Sequence, residues 1–380
     1  MTAVKTSSMP DEETPRKRGK VGKFKTLSVS GGGARVISTI CGGLLAFEQF
    51  GLEFDLIVAL SGSFGPAASW KHGTRASILA TRAVETRFIS LLHWETTVLG
   101  WLWATACRRV SERVFPESGI FGTEKLGEYF ARLVPKWPRG LATGSVTSLF
   151  NKRRLILYTD KGIFEQTSGG YELLISLDQM TAAGRSQIGE AARATMGIPG
   201  FCTPQRLQTP KRDLLVFDGV FSAEGPYLID PIVDEGMFGY GKQHVLVFTV
   251  TEEDTGWLAE VQDFLYWVIC RECYLPSSPP GHKENVAIIA PDVTGFSAVN
   301  FWVCEYDKLR ALVAGYEATA NTLFASGEIT ADQHKKAQSI VSEVRALQRR
   351  TWWMKWLRLK KWRASKMKEL LARHGMYELS

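Results

Sequence analysis

Apolar and polar positions alternate over residues 26–29, where Leu27 and Val29 are the apolar members, and the alternation runs directly into Gly31, Gly32 and Gly33. Past the glycines the period changes. Ile37, Ile40, Leu44 and Phe47 recur at helical spacing until Gly51. The pattern predicts strand, glycine loop, helix. The segment "DLIVALSGS" at 55–63 repeats it: a short apolar strand, a turn of small residues, then a helix with Pro66 in its first turn. Two such units predict an α/β fold with a parallel sheet covered by helices.

Further strands are predicted in "RRLILYTD" near 155, "DLLVFDG" near 215 and "HVLVFTV" near 247, separated by segments rich in helix formers. Leu309, Leu312, Val313, Tyr316 and Leu323 mark another amphipathic helix. Thr330 and Gln333 have the spacing of a capping box that opens a long final helix. The most apolar stretch, "FISLLHWETTVLGWLWATACRRV" at 88–110, is split by Glu95 and falls short of the ~20 residues of a spanning helix. It reads either as a buried helix or as an apolar wall or lid over a lipid-binding cleft, with Trp94, Trp101 and Trp103 at its rim.

With 45% hydrophobic and 22% charged residues, the 380-residue chain is of globular type and long enough for a large buried core. The net charge of +7 is concentrated in two basic stretches, 16–25 and 349–368, that bracket the fold. The first residues contain no apolar core, so they read as a solvated basic tail rather than a secretory signal, and the expected setting is intracellular. Six cysteines (41, 107, 202, 270, 273 and 304) lack the dense spacing of a disulfide framework. Cys270 and Cys273 form a lone C-x-x-C without a second ligand pair, and no metal is expected.

Three places can carry chemistry. A strand-to-helix turn of small residues is how α/β hydrolases present a nucleophilic serine, and the turn at 59–65 contains two, Ser61 and Ser63. Successive glycines let backbone amides converge on an anion, so Gly31, Gly32 and Gly33 suit either an oxyanion hole or a phosphate loop. The loop lacks the Lys-Ser/Thr of a P-loop and is not G-x-G-x-x-G. Asp218 closes an apolar strand at Gly219, where a carboxylate can serve as general base or simply mark a turn.

In this order the three pieces resemble the patatin-like phospholipase family and its relatives, the cytosolic phospholipases, whose pattern is a G-G-G-x-R/K loop, a G-x-S-x-G elbow and a distal D-G-G/A. The flanks are similar as well: "FDLIVALS" to the strand into the elbow, "SGIFGTEKLGEYF" to the G-L-F-D-T segment, and "EAARATMGIPGFCTP" to the A-x-R-A-S-S-A-I-P run. The resemblance covers roughly residues 25–250. It implies a three-layer α/β/α hydrolase with a mainly parallel central sheet and a serine–aspartate dyad without histidine. Counting from Asp55, in the place of the family's F-D-x-I aspartate, selects Ser61, with Asp218 as its base. Gly31, Gly32 and Gly33 take the oxyanion role, and Arg35 supports the loop or a lipid phosphate. The elbow of the cytosolic branch, G-L-S-G-S, differs from Ala59-Leu60-Ser61-Gly62-Ser63 at one position, so Ala59 puts full activity in question.

The implied activity is hydrolysis of fatty acyl esters of glycerophospholipids, with no cofactor. A neutral-lipid hydrolase and a noncatalytic lipid-binding protein on the same fold are the alternatives. The expected organisation is a tail over 1–23, a catalytic domain over 24–328 and a basic, Trp-rich amphipathic helix over 329–380. Trp352, Trp353, Trp356 and Trp362 with flanking Lys and Arg suit a membrane surface through residues 349–373, against packing on the protein's own core or another partner. The expected location is cytoplasmic and peripherally membrane-associated, with no nucleic-acid partner.

Overall fold

A computed structural model describes residues 19–97, 119–147, 154–199, 201–222, 244–250, 285–293, 296, 301–350 and 360–379. Its strands are β1 (Lys20–Val21), β2 (Thr26–Val29), β3 (Leu52–Glu53), β4 (Leu56–Ala59), β5 (His93–Trp94), β6 (Phe121–Gly122) and β7 (Leu141–Val146). They continue with β8 (Leu155–Thr159), β9 (Gly162–Thr167), β10 (Gly170–Ser176), β11 (Gln205–Gln208), β12 (Asp213–Asp218), β13 (Val245–Phe248) and β14 (Val286–Ile289). The helices are α1 (Gly33–Gln49), α2 (Phe64–His72), α3 (Ala76–Glu85), α4 (Glu124–Leu133), α5 (Leu177–Ala182) and α6 (Gln187–Thr195), then α7 (Glu305–Ala325), α8 (Ala331–Arg350) and α9 (Lys360–Arg373).

The fold is mixed α/β. Its central sheet runs β10-β9-β8-β7-β4-β2-β13-β14. The stretch β7-β4-β2-β13-β14 is parallel throughout, as the two strand–turn–helix units require. Strict alternation divides its side chains. Leu27, Val29, Ile57, Ala59, Leu246 and Phe248 enter the large core beneath α1, whereas Leu56, Val58, Val245 and Val247 form a smaller cluster on the opposite face. Helix α1 is buried along most of its length and packs against α3 and α7. It therefore lies inside the fold, with its first turn at the sheet's edge.

Beyond β7 the sheet changes character, because β8, β9 and β10 join as antiparallel neighbours. Strand β8 is the one predicted near 155, but β9 is invisible to the hydrophobic pattern for a physical reason: Glu165 in β9 is 3% exposed and takes ion pairs from Arg154 at 3.2 Å and Arg212 at 2.7 Å. A charge at an inward strand position hides the alternation. Strand β12 is likewise antiparallel to β7 rather than one of the parallel set.

At the C-terminal end, the Thr330 amide donates to Gln333 Oε1 at 2.8 Å and the Gln333 amide donates to Thr330 Oγ1 at 3.3 Å, which is the expected capping box. Among the described residues of 329–380 there are two helices, α8 and α9; residues 351–359, with Trp352, Trp353 and Trp356, lie outside the described residues. Both helices join the main core, through Ile340, Val341 and Val344 of α8 and through Met367, Leu370 and Leu371 of α9. Met367 and Leu370 thus face the protein itself. Trp101, Trp103, Cys270, Cys273 and residues 1–18 also lie outside the described residues. Among the described residues no helix is long and apolar enough to cross a membrane.

Candidate active site

Strand β7 has two neighbours on the same side. Leu141 and Ala142 at its start pair with Ile57 and Val58 of β4, whereas Ser145 and Val146 at its end pair with Asp218 and Phe217 of β12. Strand β12 therefore occupies the line that β4 leaves, and it approaches β4 head-on. The second residue beyond the end of β4 and the last residue of β12 meet. They are Ser61 and Asp218.

The chain leaves β4 through a single 3-10 turn, Ser61–Ser63, that passes directly into α2. Ser61 has φ of 55°, and among the described residues it is the one non-glycine with a positive φ. A side chain held in that region signals a turn that its surroundings enforce. Gly62 permits the tightness: a Cβ there would lie 2.3 Å from the Gly33 carbonyl oxygen. Ala59 is extended strand, fully buried, and its carbonyl accepts from Thr143 Oγ1 at 2.5 Å. Because the turn's positive φ falls on Ser61 and not on Ala59, the methyl that departs from the family pattern lies in the core.

The Ser61 hydroxyl donates to Asp218 Oδ2 at 2.6 Å, and Asp218 Oδ1 accepts the Val220 amide at 3.0 Å. Both side chains are 2% exposed. Burial pushes the Asp218 carboxyl up to about 7, against the opposing pull of the hydrogen bonds from Ser61 and Val220. Ser63 behaves differently. Its hydroxyl donates to the Leu60 carbonyl at 2.7 Å and takes no part in the Asp218 contact.

The glycine loop lies alongside. A Cβ on Gly31 would stand 2.9 Å from Ser61 Cβ, Gly32 caps α1, and Gly33 lines the same cleft as Ser61 and Gly62. The first turn of α1 has no side-chain cap and no acidic residue. Its leading amides have no partner within the helix, and the helix's positive end points the same way. Arg35 sits in that first turn, 7% exposed, with its guanidinium beside Gly32 and not among the cleft-lining residues.

The cleft in front of Ser61 holds about 800 Å³ of empty space, counting its open mouth. Ile37, Leu79, Leu126, Phe130 and Leu133 give it an apolar lining. Phe88, Leu91 and Leu92, the start of the apolar stretch 88–110, form part of its wall, and Trp94 beyond them is 60% exposed. Such a cleft suits a long apolar chain leading to a single polar centre.

No described histidine reaches either group. His72 ends α2, His93 faces Glu95 and Glu124, His244 packs edge-on to Phe24, His334 stacks on Phe324, and His374 faces Glu343. His93, Glu95 and Glu124 converge in the geometry of a cation site, but Arg193 and Thr203 already bond the two carboxylates.

Sequence reasoning missed Thr195 and Thr143. The Ser61 amide donates to Thr195 Oγ1 at 2.9 Å, and Thr195 and Thr143 are hydrogen-bonded at 3.0 Å. The signal was present, because Thr195 lies in the run "EAARATMGIPGFCTP", but nothing in that run says which side chain turns toward the elbow.

No protein-family model matches the sequence, and no curated protein matches it. Among solved structures, the chain is similar to human GIVD cytosolic phospholipase A2 at 12% identity and a TM-score of 0.42, covering 83% of this chain and 60% of that one. It is also similar to VipD from Legionella pneumophila, at 11% identity and a TM-score of 0.35 over 97% of this chain and 84% of that one. The type III effector protein ExoU shows 10% identity and a TM-score of 0.33, covering 87% of this chain and 63% of that one. The chain thus spans about three-fifths of the human phospholipase. The human protein is by name one of the cytosolic phospholipases.

Proposed function

We propose that the chain is a lipid acyl hydrolase of the phospholipase A type that works through a Ser61–Asp218 dyad. The observation that carries this reading is the 2.6 Å hydrogen bond from the Ser61 hydroxyl to a buried carboxylate, made from a positive-φ turn at the end of an apolar cleft.

The chemistry follows from the positions. Ionised Asp218 removes the Ser61 proton as Oγ adds to the acyl carbonyl carbon. The oxygen that gains charge is stabilised by amides of Gly31, Gly32 and Gly33 at the start of α1. Collapse of the tetrahedral intermediate breaks the ester C–O bond, and the carboxylic acid of Asp218 returns the proton to the departing alcohol. Water then gives a proton to Asp218 while it attacks the acyl-enzyme; collapse of this second tetrahedral intermediate breaks the bond from the acyl carbon to Ser61 Oγ, Asp218 returns the proton to Ser61, and the free fatty acid leaves. Arg35 supports the glycine loop.

The substrate class is glycerophospholipid, and the protein acts at a membrane surface. Trp362, 41% exposed on α9, stands beside exposed Lys360 and Lys361, the pairing of aromatic ring and cation that favours an anionic interface. The protein is cytoplasmic on this reading and needs no nucleic-acid partner.

Labelling with a fluorophosphonate probe followed by peptide mapping tests the dyad. An adduct on Ser61 is expected; an adduct on Ser63, or none on the folded protein, overturns the reading. Acyl release from phospholipid vesicles by the wild type, and not by Ser61→Ala, separates an enzyme from a lipid-binding homologue. A parallel triacylglycerol assay assigns the headgroup class.

A further inference from the structure

We propose that Thr195 is the positioning residue that holds Ser61 in its attack geometry, through a hydroxyl relay that ties the elbow to α6; the inference rests on the dyad reading above.

A residue with positive φ breaks the regular bonding of the strand it follows, so its own amide needs a partner from elsewhere once it is buried. Thr195 Oγ1 supplies that partner at 2.9 Å from the Ser61 nitrogen. Thr195 and Thr143 are both fully buried, so their hydroxyls must also be satisfied within the protein. Each hydroxyl has one proton, and one assignment satisfies every contact: Thr143 donates to the Ala59 carbonyl, Thr195 donates to Thr143 Oγ1, and the Thr195 oxygen accepts from Ser61. The relay grips the elbow on both sides of Leu60. It joins β4, β7 and α6, which are far apart in sequence.

The same end of α6 also holds the other member of the dyad. The Asp218 amide donates to the Gly197 carbonyl at 3.2 Å, two residues beyond Thr195. One short segment, 195–197, thus sets both Ser61 and Asp218, and so sets the distance between them. Met196 and Ile198, which interleave with these residues, line the cleft. An acyl chain in the cleft lies against the segment that aligns the dyad.

The experiment compares the full-length wild type, Thr195→Val, Thr195→Ser and Ser61→Ala. Valine keeps the branched shape and removes the hydroxyl; serine keeps the hydroxyl and removes the methyl. Three readouts are taken: the second-order rate of fluorophosphonate labelling, the kcat and KM for vesicle phospholipid, and amide hydrogen exchange of peptides spanning 57–65. Thr195→Val is expected to lower kcat and the labelling rate by about 10–100-fold with KM within about twofold, since small misplacement of a reacting group costs rates of that order. It is also expected to speed exchange in the elbow peptide, and Thr195→Ser is expected to restore most of both.

A Thr195→Val protein that labels at the wild-type rate with unchanged elbow exchange overturns the proposal. So does a folded Thr195→Ser protein as impaired as Thr195→Val, because packing of the methyl would then be the cause. Failure of the wild type to label at Ser61 is a different result, which removes the dyad reading and with it the catalytic role of the relay.

Discussion

The backbone of Gly219 lies against the carbonyl of Gly144 in β7, so close that a Cβ at 219 would stand 2.2 Å from that oxygen. The turn that presents Asp218 therefore requires glycine for space, and the Asp-Gly pair of the sequence has a steric meaning. Gly219→Ala is expected to push the 218–220 turn away from β7. A cost of about 1–3 kcal/mol in stability is typical of forced overpacking, and fluorophosphonate labelling should fall by about tenfold or more with the misplaced carboxylate. Thermal unfolding and labelling rates on the same protein check both.

The two serines of the elbow should separate cleanly. Ser61→Ala removes the proposed nucleophile and is expected to lower turnover by about 10³-fold or more without loss of fold. Ser63→Ala loses the bond to the Leu60 carbonyl, at a cost of about 1 kcal/mol, and should keep most activity. Equal losses in both variants would mean that the turn matters only as structure.

Asp218 gives activity and stability opposite pH dependences. As the proposed general base it must be ionised, and burial places its carboxyl at about 7. Activity is therefore expected to rise as pH passes through 7 and to level off above it. For stability, a carboxyl raised above its unfolded value contributes fully below the unfolded pKa of about 3.9, and that contribution is lost as pH rises through 7. At pH 8 the buried charge costs about 4 kcal/mol relative to the unfolded chain. Asp218→Asn should then be inactive yet more resistant to urea at pH 8, with the difference from wild type narrowing as pH falls and becoming small below about pH 4. Equal midpoints at pH 8 would show that the charge is better compensated than its two hydrogen bonds imply.

Truncating the C-terminal segment is a poor test of membrane binding, because Met367, Leu370 and Leu371 belong to the main core. Substitutions confined to the exposed patch avoid that problem. Trp362→Ala combined with Lys361→Glu is expected to leave the melting temperature unchanged and to reduce co-sedimentation with anionic vesicles several-fold, more strongly at low salt. Undiminished binding would place the lipid contact elsewhere.

The cleft wall is open to the same treatment. Phe130 lines the cleft from α4 and is 7% exposed. Phe130→Ala should cost about 3 kcal/mol or more as a cavity and shift preference toward bulkier acyl chains, measured as the ratio of kcat/KM across a chain-length series.

Much of this was legible in the chain itself. The parallel centre followed from two strand–turn–helix units, because period two and period 3.6 are local properties of consecutive residues. The glycine loop, the elbow and Asp218 could be placed on element ends for the same reason, and the start of α8 followed from its capping pair. Of the antiparallel wing only β8 was legible; β9 was not, since Glu165 faces inward against Arg154 and Arg212. Nor was the fate of α9, whose apolar side fits a membrane or the protein's own core equally well until its neighbours are known.

Sequence by itself determined which residue types stand at the turns: three glycines, two serines in one small-residue elbow, and an aspartate before a glycine. Tertiary structure decided which of them meet. Strand β7 borders β4 at one end and β12 at the other, and that shared neighbour brings Asp218 to Ser61 across a sequence separation of 157 residues. It also turned Ser63 toward Leu60 and brought Thr195 to the Ser61 amide. The reason is physical: local pattern fixes periodicity and turn chemistry, whereas the partner of a buried polar group is chosen by packing among elements that no local pattern relates.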